Sequence, residues 1–179
     1  MNYKITDGLE QKDLNQWLKK AISKYGTFAD GRINYKSANI APIIMCTVIY
    51  QNKILLVKRN RSLTDARNYW STVNGYIDKI KPIKQLVAQK IKVELGLDIN
   101  TQFIKIASSY TLDNSKEIRQ YIVFPCLITL DTEPTIILNQ ENTEFSWITR
   151  DKLTSYFILD DLPIAIDNAL NLDNSLINT

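Results

Sequence analysis

Residues 70–78 read Trp-Ser-Thr-Val-Asn-Gly-Tyr-Ile-Asp, and residues 79–97 continue through Lys-Ile-Lys-Pro into a run that ends in Glu-Leu-Gly-Leu. Apolar positions three and four residues apart form one stripe of a helix, and such a stripe packs against a core. The stretch therefore predicts a loop followed by an amphipathic helix that packs on a sheet. The residues that form the apolar stripe are Ile83, Leu86, Val87, Ile91 and Leu95.

The same stretch resembles the Nudix box, the loop-helix-loop that binds divalent metal in nucleoside-diphosphate-linked hydrolases. The family pattern is Gly, five residues, Glu, seven residues, Arg-Glu, an aliphatic residue, any residue, Glu-Glu, any residue, Gly and an aliphatic residue. Laid from Gly75, the frame closes on Gly96 and Leu97 without a gap. The resemblance implies an α/β (α+β) Nudix fold, in which a mixed β-sheet is sandwiched between helices.

Most of the glutamates of the box pattern are replaced in this chain. The first Glu position carries Lys81 and the Arg position carries Gln89. The three later Glu positions, which share one helix face, carry Lys90, Val93 and Glu94. Mg²⁺ prefers carboxylate oxygens. An ammonium about 4 Å from the ion would repel each unit of its charge by roughly 4 kcal/mol at an effective dielectric of about 20. We therefore expect no ordinary Mg²⁺ site and no cofactor.

The lysine in the box suggests what replaces the metal ion. Lys90 and Glu94 are four residues apart and can pair directly. Our hypothesis is that the Lys90 ammonium lies where the metal would lie. Glu94, the remaining glutamate of the box, and Glu141 are then the residual candidates for catalytic residues. Glu141 precedes Trp147 by six positions, the spacing that separates an acidic base or ligand from Trp in the family.

A displaced metal site is the alternative interpretation. Asp78 falls where many family members have an acidic residue just after the glycines, although a single loop Asp is more often a turn residue. Together with Glu94 and Glu141, Asp78 would form a displaced site that binds Mg²⁺ in an active Nudix-type pyrophosphohydrolase.

The segments before the box supply candidates for ligand binding. Two apolar, β-branched runs, 41–50 and 53–58, are separated by Gln51-Asn52, which predicts a hairpin. In the family the strand before the box ends in a basic residue that often meets substrate phosphate. The candidate ligand-binding residues are Lys58, Arg59, Trp70, Gly75, Lys81 and Lys90. A solvated strand end and a solvated helix face are the alternative explanations of these basic residues.

The rest of the chain predicts a single Nudix-like domain, over residues 41–172, preceded by an extra N-terminal helix. Apolar residues at helical spacing predict that helix over 9–25, within an N-terminal part that ends at residue 40. Downstream, residues 103–111 and 118–130 predict two strands with a turn at 113–115, and residues 163–172 predict a closing helix with Pro at its first turn. We expect residues 173–179 to form a frayed tail.

Composition limits the classes of function. The 22 basic and 19 acidic residues give a net charge of +3, which is too balanced for a nucleic-acid module. The absence of histidine excludes His-based catalysis and His-ligated zinc. Cys46 and Cys126 lie in apolar strands and are expected to be small core residues. No membrane contact and a cytoplasmic location are expected, since no run approaches the roughly 20 apolar residues that span a bilayer; a homodimer is left open.

Three hypotheses of function follow. In the first, the chain is a Nudix-fold protein that has lost metal-dependent hydrolysis and binds a nucleotide-like or other phosphate-bearing ligand, or a partner. In the second, it is a working hydrolase that uses the displaced metal site. In the third, it is a structural subunit whose N-terminal helix and sheet mediate assembly.

Overall fold

The computed structural model describes residues 4–62, 68–114, 119–159 and 161–173. Within these ranges one mixed sheet is covered by helices on both faces. Its strands are β1 (Lys4–Asp7), β2 (Ile40–Tyr50), β3 (Lys53–Arg59), β4 (Trp70–Ser71), β5 (Val73–Tyr76), β6 (Ile104–Ile106), β7 (Tyr110–Asn114), β8 (Arg119–Leu130) and β9 (Asn142–Ile148). The α-helices are α1 (Gln11–Tyr25), α2 (Ile83–Leu95) and α3 (Leu162–Leu170). Short 3₁₀ turns occupy Tyr35–Ser37, Thr101–Phe103 and Arg150–Ser155.

Strands β2 and β3 form the predicted hairpin. They pair antiparallel, with Ile49 opposite Ile54 and Tyr50 opposite Lys53. The turn residues Gln51 and Asn52 both have positive φ, 47° and 59°. Two consecutive positive φ values are the backbone of a tight hairpin turn whose twist matches that of the strands. The prediction of a hairpin at this point is confirmed.

The centre of the sheet is the parallel pair of β2 and β8, which stay in register from Ile40–Gln120 to Tyr50–Leu130. Most side chains of both strands are buried, as expected for strands that are covered on both faces. Cys46 and Cys126 lie opposite each other in this pair, and both are buried free thiols. A hydrogen bond with Cys126 and complete burial raise the pKa of Cys46 well above its ordinary value.

The two faces of the sheet are covered by different helices. Helices α1 and α2 lie on one face, through Leu18 and Val87 among others, and pack against a core that contains Phe124. Helix α3 covers the opposite face through Leu162 and Ile166. This is the predicted arrangement of a mixed sheet between helices, with α1 as the extra N-terminal helix. No helix in the described ranges is long and apolar enough to cross a membrane.

Several boundaries differ from the prediction. Helix α1 begins two residues later than expected, at Gln11. Its C-terminal end is at the expected place, where Gly26 follows Tyr25 with a positive φ of 71°. The predicted strand 103–111 is divided into β6 and β7, and between them the Ser109 hydroxyl donates to the Leu9 carbonyl at 2.6 Å. The closing helix spans Leu162–Leu170 rather than 163–172. The predicted turn at 113–115 is wrong for its first two residues, because Asp113 and Asn114 continue β7 and pair with β8. Ser115 lies outside the described residues.

Strand β1 was not predicted. It pairs with β7 at the edge of the sheet, with Ile5 opposite Leu112. Its four residues include one large apolar side chain, Ile5, which is half exposed. Such a short edge strand is formed by backbone hydrogen bonds to its neighbour, so it leaves no alternating apolar pattern in the sequence.

The segment between α1 and β2 packs against the loop that precedes α2. The Tyr35 hydroxyl donates to the Ile77 carbonyl at 2.7 Å, and the Ile33 amide donates to the Asp78 carbonyl at 2.8 Å. Tyr35 is buried, as expected of an anchor residue. The N-terminal part of the chain thus fixes the loop from which the candidate site is built.

Candidate functional site

Helix α2 carries the main residues of the candidate site. Its buried stripe contains the five apolar residues predicted from the sequence, and Glu94 is buried beside them. The helix ends at Gly96, which adopts a left-handed backbone with φ of 72°, and the Gly96 amide donates to the Lys92 carbonyl. Lys90 and Glu94 therefore lie one turn apart on the last half of a well-terminated helix.

A lysine lies between two carboxylates at this end of α2. Lys90 Nζ is 2.7 Å from Glu94 Oε1 and 3.6 Å from Glu141 Oε2. The Glu94 side chain is only 5% exposed, whereas that of Glu141 is 43% exposed. The predicted direct pairing of Lys90 and Glu94 is present, and Glu141 is a second and longer contact.

Glu94 is also held from its other side. Asn142 Nδ2 donates to Glu94 Oε2 at 3.0 Å, so both carboxylate oxygens have partners. The Asn139 amide donates to the Glu94 carbonyl at 3.3 Å, which docks the segment before β9 on the end of α2. A buried carboxylate with both a counter-charge and an amide donor satisfies the general requirement for burying a charge.

Gly75 provides the space through which Lys90 reaches this position. A Cβ at residue 75 would lie 3.0 Å from Lys90 Cε. Because Gly75 pairs with Ile44 in the sheet, the close approach joins the loop, the sheet and the helix. The structure thus brings together three of the predicted site residues, Gly75, Lys90 and Glu94, with Glu141 beside them.

The charge state of Lys90 follows from these contacts. Burial alone would lower the pKa of Lys90, but the negative charges of Glu94 and Glu141, together with the hydrogen bond to Glu94, outweigh this effect. The net result is a pKa above the ordinary value, and the side chain is an ammonium at neutral pH.

Lys58 and Trp70 meet on the opposite face of the sheet, the one that α3 covers. Lys58 Nζ lies 5.7 Å from the centre of the Trp70 ring and 2.6 Å from a carboxylate oxygen of Glu144. Trp70 packs edge-on against Tyr156, at 5.1 Å between ring centres. These two predicted ligand-binding residues are therefore separated from Lys90 by the sheet.

Three other candidates have different surroundings. Arg59 pairs in register with Asn142, which places its backbone beside the Glu94 cluster. Lys81 lies exposed in a turn in which its amide donates to the Lys79 carbonyl. Burial raises the pKa of Asp78, partly offset by Arg32. The charged neighbours of Asp78 belong to the N-terminal segment and to its own loop.

The described part of the chain offers carboxylates and thiols as possible metal ligands. No group of three or more His, Cys, Asp or Glu residues is arranged there to hold a metal ion. The carboxylates nearest to each other in the box region, Glu94 and Glu141, are both in contact with the Lys90 ammonium.

Asn142 and Asn60 are members of the site that sequence reasoning missed. The Asn60 amide donates to the Glu141 carbonyl at 2.9 Å, and Asn60 Nδ2 donates to the Gln140 carbonyl at 3.0 Å. No spacing pattern in a sequence predicts which distant residue an asparagine side chain contacts. The adjacency of Asn142 to Glu141 in the sequence was the one available signal.

Solved structures of Nudix proteins share this fold. A MutT NUDIX hydrolase from Burkholderia pseudomallei superposes with a TM-score of 0.60 at 18% identity, over 72% of this chain and 97% of that chain. The MutT protein from Methanosarcina mazei Go1 gives 0.62 at 14% identity, over 75% and 96%. The NUDIX domain of Shewanella oneidensis NrtR, complexed with ADP ribose, gives 0.58 at 15% identity, over 74% and 86%. No family model and no curated protein matches the sequence significantly.

The chain therefore has the Nudix fold, the fold of MutT-type hydrolases, as its box frame predicted. At these identities the likeness establishes the fold alone, since one fold supports many reactions. The function has to be argued from the cluster around Lys90.

Proposed function

We propose that this protein is a Nudix-fold binding protein for a phosphate-bearing, nucleotide-like ligand, and that it lacks ordinary Mg²⁺-dependent hydrolysis. The observation that supports the proposal is the position of Lys90 Nζ, 2.7 Å from Glu94 and 3.6 Å from Glu141. A divalent cation held by the same two carboxylates would be repelled by this ammonium. The repulsion is on the order of 4 kcal/mol for each unit of charge at about 4 Å and an effective dielectric of about 20.

The remaining donors do not fit a magnesium ion. Mg²⁺ requires near-octahedral oxygen coordination and commonly uses several carboxylates or waters. One oxygen of Glu94 contacts Lys90 and the other accepts from Asn142. Val93 has no ligand atom, although it occupies a metal-binding position of the box pattern. Lys90 therefore replaces the ion as the positive charge at this place.

The expected ligand follows from the sign of that charge and from the fold. An ammonium fixed at a helix end attracts phosphate oxygens, and charge-assisted hydrogen bonds of this kind are the stronger ones. The NUDIX domain of Shewanella oneidensis NrtR is a Nudix-fold structure complexed with ADP ribose. A ligand with a diphosphate group is therefore the class to test first. A cytoplasmic location and a homodimer stay predictions.

Ligand binding is tested without metal. Purified protein in excess EDTA is heated with ADP-ribose, ADP or inorganic pyrophosphate, and the Tm is compared with that of the free protein. We expect a rise in Tm with at least one of these, and no rise for the double variant Lys90→Met/Glu94→Gln. If none of the three raises the Tm of the unmodified protein, ligand binding is overturned and the hypothesis of a structural subunit gains.

The alternative, a hydrolase with a displaced metal site on Asp78, Glu94 and Glu141, predicts turnover. The same compounds are incubated with Mg²⁺ or Mn²⁺, and released phosphate or AMP is measured. Turnover that Glu94→Gln abolishes would establish the hydrolase and overturn the proposal. Glu10→Gln is the control, since Glu10 pairs with Lys12 on the exposed start of α1 and its loss removes the same charge elsewhere.

A further inference from the structure

The two carboxylates that contact Lys90 are held in different ways. Glu94 is 2.7 Å away, its side chain is 5% exposed, and its second oxygen accepts from Asn142. Glu141 is 3.6 Å away, beyond ordinary hydrogen-bond distance, and its side chain is 43% exposed. Glu94 is thus a fixed partner of the ammonium, and Glu141 is a loosely held one.

The backbone of Glu141 is anchored independently of its carboxylate. Its amide donates to Asn139 Oδ1 at 3.0 Å, and its carbonyl accepts from the Asn60 amide at 2.9 Å. The side chain can therefore rotate away from Lys90 while the main chain stays in place. An ion pair that is long and exposed on its carboxylate side is a weak one, so little free energy opposes the rotation.

We infer that the Glu141 carboxylate occupies the place on Lys90 that a phosphate oxygen of the ligand takes, and that the ligand must displace it. This inference rests on the proposed function. Lys90, Glu94 and Glu141 carry one positive and two negative charges, so an anion approaches a cluster of net charge −1 while Glu141 is in place. When Glu141 rotates into solvent, the Lys90 ammonium is exposed to the ligand. Its remaining partner, Glu94, balances its charge and stays in place.

The internal carboxylate makes the site selective for highly charged phosphates. A terminal phosphate carries a charge of about −1.5 to −2 at pH 7 and several acceptor oxygens, and therefore competes successfully with one carboxylate. A ligand with a single carboxylate gains nothing over Glu141. The ligand class is accordingly the diphosphate, in preference to carboxylic acids and uncharged nucleosides.

The test compares the affinity for inorganic pyrophosphate of the unmodified chain with that of Glu141→Gln, by calorimetry in EDTA at low ionic strength. Glutamine keeps the backbone contacts of residue 141 and removes the competing charge. We expect the affinity to rise about tenfold. Glu10→Gln, which removes the same charge from an exposed pair on α1, should leave the affinity unchanged. The triple variant Lys90→Met/Glu94→Gln/Glu141→Gln lacks the ammonium without leaving a buried carboxylate unpaired, and it should not bind.

The outcomes separate the inference from the proposed function. Binding by the unmodified chain with equal or weaker binding by Glu141→Gln overturns the inference and leaves the proposed function intact. A gain of the same size in Glu10→Gln also overturns it, since the effect would then be one of net charge. Retention of binding by the triple variant excludes Lys90 as the anchor and overturns the inference, while phosphate binding by the protein stands. Absence of pyrophosphate binding in every variant, Glu141→Gln included, overturns the inference, whereas the proposed function falls only if ADP-ribose and ADP also leave the Tm unchanged.

Discussion

The aliphatic chain of Lys90 passes over Gly75 so closely that a Cβ at residue 75 would lie 3.0 Å from Cε and 3.6 Å from Cδ and Nζ of the lysine. Carbon atoms in ordinary contact are about 3.5–4.0 Å apart. The missing side chain at residue 75 therefore sets the path by which Lys90 reaches Glu94. Gly75 of β5 and Lys90 of α2 thus together determine the geometry of the ion pair with Glu94.

Gly75→Ala should lower the free energy of unfolding by about 1 kcal/mol, at the low end for overpacking, because the group it meets is the flexible end of a side chain. The cost should fall to near zero in the background Lys90→Ala/Glu94→Gln, where the obstructing chain is absent. Urea denaturation of the four proteins measures both values. Equal costs in the two backgrounds would show that Gly75 is required for a reason other than Lys90.

Lys90→Met should destabilise the protein by about 3 kcal/mol, since it leaves the buried Glu94 carboxylate without its counter-charge. Adding Glu94→Gln should recover most of the loss, because the amide oxygen can still accept from Asn142. The coupling energy from this double-mutant cycle isolates the pair.

A matched control for this cycle lies on the same helix. Lys92 pairs with Asp98, and both side chains are more than half exposed. Lys92→Met should change the free energy of unfolding by no more than about 0.5 kcal/mol. If Lys92→Met costs as much as Lys90→Met, the effect belongs to helix charge in general and the ion pair with Glu94 is not special.

The Lys90 contacts also predict a dependence of stability on alkaline pH. The pKa of Lys90 is raised above its ordinary value of 10.5 in the folded state. A raised pKa means that the folded state binds the proton more tightly, so the stabilisation is complete below about pH 10.5 and is lost as pH rises through the folded pKa. The difference in unfolding free energy between the unmodified chain and Lys90→Met/Glu94→Gln should be constant up to about pH 10 and shrink as the pH rises above about 10.5. A difference that stays constant or grows above that pH would contradict this prediction.

That comparison removes the contribution of tyrosines. Burial raises the pKa of Tyr35 and Tyr110, and both are present in the two proteins. Their loss of stabilisation at alkaline pH is common to both titrations and cancels in the difference. The remaining pH dependence belongs to the Lys90 and Glu94 pair and to Cys46, whose pKa the charge of Glu94 raises and that of Lys90 lowers.

Arg119 should matter for stability more than its position at the first residue of β8 would indicate. Its guanidinium donates to the carbonyls of Ala38, Tyr35 and Lys36 at 2.9–3.2 Å and to the Tyr76 hydroxyl at 3.0 Å. A lysine has the charge but cannot span these acceptors. Arg119→Lys should therefore cost about 2 kcal/mol of unfolding free energy.

The control for Arg119 is a second arginine with a simpler partner. Arg150 donates to both carboxylate oxygens of Asp167, at 2.6 and 2.8 Å, in an exposed pair. Arg150→Lys should cost about 0.5 kcal/mol or less. Thermal and urea denaturation rank the two variants, and an equal cost would mean that the carbonyl contacts of Arg119 contribute nothing beyond its charge.

The sequence predicts the parts of the fold whose information is local. The hairpin follows from two apolar runs around Gln51 and Asn52, and α2 follows from its 3.6-residue stripe and a glycine at the end. The pairing of Lys90 with Glu94 is also local, because residues four apart on a helix are neighbours. These predictions depended on no tertiary contact.

The parts that could not be predicted depend on contacts between residues far apart in the sequence. Asn142 reaches Glu94 across 48 positions and Arg119 reaches Tyr35 across 84. Neither residue type specifies such a partner. The separation of Lys58 and Trp70 from Lys90 is of the same kind, since the face to which a strand residue points depends on its register with neighbouring strands.

The most direct test of the interpretation of the box is to restore its carboxylates. In the triple variant Gln89→Arg, Lys90→Glu and Val93→Glu, the ammonium is removed and two new carboxylates join Glu94 on one helix face, with Glu141 nearby. Four hard oxygen donors of this kind should bind Mn²⁺ or Mg²⁺, while the unmodified chain should not. Calorimetric titration of both proteins measures the difference, and Lys81→Glu can be added where turnover is assayed. A folded triple variant that binds no Mn²⁺ would show that more than the charges of the box has changed. Tight Mn²⁺ binding by the unmodified chain beside Glu94 would show that Lys90 does not exclude the ion.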